Sequence, residues 1–137
     1  MHPPVQSGIF WQRLMMNPKR DVKGIGVFDR ALKQLAKHFP KVKRLVAELA
    51  LQLENGELLG DRIPNAPYEL YKVRLPNPDS QKGKSGGFRV IYYIKTAENI
   101  LLVIIYSKSD YPDIPLSTIS KWIEDYNNSI DNDEPNE

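Results

Sequence analysis

The stretch Phe88-Arg89-Val90-Ile91-Tyr92-Tyr93-Ile94-Lys95-Thr96-Ala97-Glu98-Asn99-Ile100-Leu101-Leu102-Val103-Ile104-Ile105-Tyr106-Ser107 decides the fold. In its first part Phe88, Val90, Tyr92 and Ile94 alternate with Arg89, Ile91, Tyr93 and Lys95, the period-two pattern of a strand with two faces. From Ile100 to Ser107 apolar residues occupy both parities, as expected of a central strand covered on both sides. The short link Thr96–Asn99 predicts a hairpin between the two.

Working outward, Glu69–Leu75 alternates as well, with Tyr71, Val73 and Leu75 on one face and Leu70, Lys72 and Arg74 on the other. Gly60 to Pro67, containing Pro64, reads as a loop. Before it, Phe28, Ala31, Leu32, Leu35, Ala36 and Phe39 follow the spacing of an amphipathic helix that Pro40 stops. The stripe resumes at Val42, Leu45, Val46, Leu49, Ala50 and Leu53, and Asn55-Gly56 supplies a left-handed cap. Two consecutive helices predict a helical hairpin. Val22–Val27 reads as a short strand that Gly24 and Gly26 weaken.

Downstream, Pro115 opens a last helix, because its missing N–H costs nothing in a first turn. Leu116, Ile119, Trp122, Ile123 and Tyr126 give that helix an apolar face. The acidic remainder from Asn127 is expected to fray. The resulting division is an extension at 1–20, in which Met15 or Met16 offers an alternative start, a domain at 21–126 and an acidic flexible tail at 127–137. The class is α+β.

Composition narrows the chemistry. With 137 residues the chain can bury a core unaided, and with no cysteine and two histidines it has almost no ligands for a Cys/His metal site. The longest apolar run, Ile100–Tyr106, is far below the roughly 20 residues that span a bilayer. Met1-His2-Pro3-Pro4-Val5 lacks the order of a secretory signal, so the expectation is a cytoplasmic protein without a membrane partner.

Nineteen Lys and Arg against seventeen Asp and Glu give a net charge of only +2, but the charges are segregated. Between Lys72 and Arg89 stand five cations, Lys72, Arg74, Lys82, Lys84 and Arg89, against Asp79 alone, whereas after Lys121 every charge is negative. Cations on two adjacent strands and their connecting loop can converge on consecutive phosphates, and Gly83, Gly86 and Gly87 allow a backbone to approach closely. Tyr106 and Tyr111 offer faces for base stacking. RNA is cut when its 2′-OH attacks the neighbouring phosphorus, a reaction that needs proton transfer and charge stabilisation but no compulsory metal. Arg74 and Arg89 suit the charge stabilisation because guanidinium binds phosphate through a fixed fork. Lysines crowded by other cations release a proton more readily, which makes Lys72, Lys82 and Lys84 candidate bases or acids. Lys108 and a tyrosine are candidates to share the transfer.

Two helices, a basic strand, the phrase Gly83-Lys84-Ser85-Gly86-Gly87-Phe88-Arg89-Val90-Ile91-Tyr92-Tyr93 and the strand end Ile104-Ile105-Tyr106-Ser107-Lys108-Ser109-Asp110 together resemble the RelE/HigB toxins of the RelE/ParE toxin–antitoxin superfamily, over about residues 22–126. The resemblance implies a helical hairpin packed on a small, mainly antiparallel sheet with a C-terminal helix. It implies a metal-independent endoribonuclease without cofactor that cuts messenger RNA on the ribosome, together with a cognate antitoxin through which alone operator DNA is contacted. By residue it points to Lys72, Arg74 and Arg89, to Lys82 and Lys84 before the glycine phrase, and to Lys108 with Tyr106 and Tyr111 at the variable acid/base position; together with the chemistry above, the candidates are Lys72, Arg74, Lys84, Arg89 and Lys108 as catalytic and Lys82, Gly86, Gly87, Tyr106 and Tyr111 as RNA-binding. Two other functions fit the same fold, a ParE-like gyrase inhibitor and an inactive relative that only binds its antitoxin.

Blander readings stand beside these. Gly86-Gly87 can be a plain turn, Lys108 can merely solvate a strand end, and Tyr92 shares a face with Phe88 and Val90 and so belongs to the core. His2 and His38 fall away from the motif in sequence, which argues against a two-histidine mechanism. Gly83-Lys84-Ser85 is no phosphate-binding P-loop, because Pro78 stands where its first glycine belongs and a strand, not a helix, follows.

Overall fold

The computed structural model describes residues 19–78, 87–111 and 113–133, the last three by backbone alone. His2, Met15, Met16, Lys82, Lys84 and Gly86, singled out above, lie outside the described residues, as does nearly all of the 1–20 extension. The elements are β1 (Asp21–Gly24), α1 (Gly26–His38), α2 (Val42–Glu54), β2 (Asp61–Arg62), β3 (Leu70–Leu75), β4 (Phe88–Thr96), β5 (Asn99–Ser107) and α3 (Leu116–Asp133). The strands form one five-stranded sheet in the order β1-β5-β4-β3-β2, with β1 parallel to β5 and every other pair antiparallel. The fold is α+β.

The central position of β5, between β1 and β4, explains its composition. Every residue from Ile100 to Ser107 is buried. Ile91 pairs with Ile104 but Tyr92 pairs with Leu102, so Val103 is an extra residue in the ladder, a β-bulge that resets the alternation. Tyr92 is fully buried, stacks on Tyr71 at a centroid distance of 5.4 Å, and its hydroxyl donates to the Leu59 carbonyl at 2.6 Å.

The helical hairpin forms as the apolar spacing dictates. In α2 the residues Val42, Val46, Leu49 and Leu53 are buried, and the Phe39 ring meets Phe88 edge-on at 5.3 Å, joining the hairpin to the start of β4. Gly56, at φ 94°, ends α2 in a Schellman arrangement: its N–H donates to Leu53 and that of Glu57 to Gln52. Ile119 and Ile123 of α3 are buried, with Leu116, Trp122 and Tyr126 packed partly against the core.

Three boundaries differ from the sequence reading. β1 covers Asp21–Gly24, not Val22–Val27, because its pairing with β5 ends at Gly24↔Leu102 and the chain turns into α1 at Gly26. A two-residue strand, β2, lies inside the predicted loop. Gly60, at φ 87°, brings the backbone against the Lys72 carbonyl where a side chain would collide, and Asp61 and Arg62 then pair with Lys72 and Tyr71. Lastly, α3 does not fray at Asn127 but continues to Asp133. Each added helical residue gains a backbone hydrogen bond, so polar residues can prolong a helix already nucleated by its buried face. Lys121 and Asp125, one turn apart at 3.3 Å, and the Lys23 and Lys95 ammonium groups at 5.8 and 5.9 Å from the Tyr126 ring add to it. Among the described residues no helix is long and apolar enough to cross a membrane.

Candidate functional site

Strand register places the basic residues. Arg74 lies directly opposite Arg89, and Arg89 opposite Tyr106, so the three share one row and one face across β3, β4 and β5. Two residues along, about 6.6 Å away, a second row on the same face contains Lys72, Ile91 and Ile104. Lys72, Arg74 and Arg89, drawn together by the sequence reading, therefore do share a face. Arg74 is exposed and Arg89 half-buried, with one Nη donating to the carbonyl of Phe88 at 3.3 Å. Two guanidinium groups at facing positions of adjacent strands give an anion two forked donors to lie across.

Lys72 does not stand crowded by cations alone. Its ammonium pairs with the Asp113 carboxylate at 3.2 Å, across 41 residues of chain. The Lys72 hydrogen bond, helped by the Ile114 backbone N–H, holds the Asp113 carboxyl below its ordinary range. Asp113 was not singled out from the sequence, and no local pattern could have done so, since it lies between β5 and α3 and its partner on β3 is 41 residues away.

Tyr106 has a different place from the one expected. Its side chain is only 3% exposed, which removes it as a platform for base stacking. Burial pushes its phenol above the usual value, while Lys72 and Arg89 pull the other way and Asp113 adds to the rise. The group is thus a neutral donor at physiological pH, sensing the same three charges that surround the cationic face. Tyr111 does offer a surface: it is 57% exposed and meets the Tyr106 ring edge-on, with centroids 6.5 Å apart.

Gly87 and Lys108 close the end of this face. Gly87 adopts φ 96°, and a Cβ there would sit 2.8 Å from the Leu75 carbonyl, so its first duty is to let the loop enter β4 against the end of β3. Its own carbonyl accepts from the Lys108 N–H at 3.0 Å, which fixes Lys108 just past β5. Lys108 in turn helps to lower the Asp113 carboxyl. Lys82, Lys84 and Gly86 belong to the segment joining β3 to β4 and lie outside the described residues.

Several cavities flank the site, two of which bear on its chemistry. One, of about 530 Å³, runs between β2 and the start of α3, lined by Asp61, Lys72, Asp113 and several apolar side chains. The other, of about 350 Å³, brings His38 at the end of α1 beside Tyr106, Ser107, Asp110 and Tyr111. The separation of His38 from the motif in sequence is thus undone by packing α1 on β5. Among the described residues no three His, Asp or Glu side chains cluster to hold a metal ion. The chain matches no protein-family model and no curated protein significantly.

Proposed function

We propose that this chain is a RelE/HigB-like toxin, an endoribonuclease that cuts messenger RNA on the ribosome by attack of the 2′-OH on the adjacent phosphate. The observation that carries the reading is the row Arg74–Arg89–Tyr106 beside Lys72 on one face of the sheet. Arg74 and Arg89 bind the scissile phosphate and stabilise the charge that grows on its oxygens at the transition state. Lys72, held in place by Asp113, anchors a neighbouring phosphate. Tyr106, opposite Arg89 in the row and buried, supports the face from below the RNA rather than touching it. Lys108 and Tyr111, at the end of β5, are the groups to move protons from the 2′-OH and to the leaving 5′-oxygen. Such loosely tuned acids and bases gain from a ribosome that presents the strand already bent for in-line attack, since orientation alone lowers a barrier by several kcal/mol.

In this reading a cognate antitoxin covers the basic face until it is degraded and supplies the contact to operator DNA, and the protein acts in the cytoplasm. Primer extension on messenger RNA after induction is the test. New 5′ ends inside translated codons are expected. Growth arrest with intact transcripts would favour a gyrase-binding inhibitor instead, and no arrest at all an inactive antitoxin-binding relative.

A further inference from the structure

Beside the cationic face lies a cleft whose chemistry a phosphate does not explain. We infer that the cavity between β2 and the start of α3 is a nucleobase pocket, seating the base next to the phosphate held by Lys72 and favouring guanine over uracil. The inference rests on the reading of the basic face as an RNA site.

Its floor and walls are Ile63, Pro64, Ile91, Ile114, Pro115 and Ile119, apolar surfaces suited to the faces of an aromatic ring. At about 530 Å³ it lies within the roughly 300–1,000 Å³ common to small-ligand sites. Its polar rim is what selects. Asp61 pairs with Lys72 across β2 and β3 and so projects on the same face. Asp113 stands on the α3 side, its Oδ1 already accepting from Lys72 and from the Ile114 N–H. Asp61 is exposed, and among the described residues no partner engages its carboxylate. The pocket therefore presents the open Asp61 carboxylate, with the Arg62 cation also on its rim, beside the Lys72 ammonium that holds a phosphate.

A carboxylate matches the adjacent N1–H and N2–H donors of guanine. Uracil offers one N–H between two carbonyl oxygens, which a carboxylate repels. The strand direction agrees as well: Lys72 lies one side-chain step from Arg74 along β3, so a base in the cleft belongs to the nucleotide next to the one at the two arginines.

Methyl and guanidinium NMR spectra of the full chain, titrated with guanosine 5′-monophosphate and separately with uridine 5′-monophosphate, test this. Both nucleotides should shift the Arg74 and Arg89 side chains, and the guanosine nucleotide alone should shift the methyls of Ile91, Ile114 and Ile119. The Asp61→Asn variant, altered on an exposed two-residue edge strand, should keep the wild-type methyl dispersion and bind the guanosine nucleotide about tenfold more weakly. Arginine shifts without isoleucine shifts would overturn the base pocket and leave the basic-face reading standing. Equal isoleucine shifts with both nucleotides, or an unchanged affinity in Asp61→Asn, would overturn the guanine preference. Absence of any shift would overturn the pocket and the reading beneath it.

Discussion

Replacing Arg89 by Gln should separate stability from function, because the structure gives its charge opposite effects on the two. Arg89 faces Arg74 across the β3–β4 ladder, and relieving a like-charge cross-strand pair is worth at most roughly 0.2–1 kcal/mol, nearer the lower figure here because Arg74 is exposed and engaged by another interaction. Gln keeps part of the aliphatic stem that packs on the sheet, so urea unfolding should show a midpoint equal to or slightly above wild type. RNA binding should move the other way. Each phosphate contact on a single strand contributes about −0.7 to the slope of log K against log salt. Contacts from Lys72, Arg74 and Arg89 would give a slope of about −2.1, and the variant about −1.4. Loss of charged hydrogen bonds, at about 1.5–3 kcal/mol, should weaken binding by roughly ten- to a hundredfold at fixed salt. Fluorescence anisotropy of a 2′-O-methyl oligonucleotide, which cannot be cut, measures both quantities over a salt series. A destabilised variant with unchanged affinity and slope would refute the argument and make Arg89 a structural residue.

Three further outcomes follow from the same geometry. Burial pushes the Tyr92 phenol from 10.0 up to about 12, so its contribution is full below pH 10 and fades as pH rises through the folded value. That amounts to about 2–3 kcal/mol, and alkaline denaturation monitored by circular dichroism should lose this transition in Tyr92→Phe, itself about 1–3 kcal/mol less stable because the Leu59 carbonyl loses its donor. Gly87→Ala, at a positive φ with the Leu75 carbonyl in the way, should cost at least about 1–3 kcal/mol in chemical denaturation, whereas an unaffected midpoint would mean that the turn has no such constraint. Asp113→Asn should leave stability within about 1 kcal/mol, because both members of the pair are solvent-accessible, yet tighten oligonucleotide binding by removing a carboxylate that competes for Lys72. The depressed Asp113 carboxyl contributes above pH 3.8 and loses its effect as pH falls through its lower folded value, so its NMR titration midpoint should lie below that of a free aspartate.

The β4–β5 hairpin and the helices were legible because burial imposes periodicity, and Phe88, Val90, Leu49 and Ile119 stand where their spacing puts them. β2 left no such trace. Two residues are too few for a period, and that strand exists because Gly60 admits the chain beside Lys72. Parity put Lys72 and Arg74 on one face of β3, but the register that sets Arg89 opposite Arg74, and the neighbours of all three, did not follow from it. Asp113 reaches Lys72 from a distant turn, and His38 reaches Tyr106 only because α1 packs on β5. The burial of Tyr106 was hidden for another reason: a strand apolar on both faces carries no mark of which residues a helix or loop will cover.

The most direct measurement incubates the purified chain with ribosomes stalled on a defined messenger RNA and maps the cut ends, for wild type and for the double variant Arg74→Gln, Arg89→Gln. The account predicts cleavage within the codon the ribosome presents, leaving a 2′,3′-cyclic phosphate, and its loss in a double variant that still folds. Intact messenger with the wild-type protein, or cleavage undiminished without the two arginines, would contradict it.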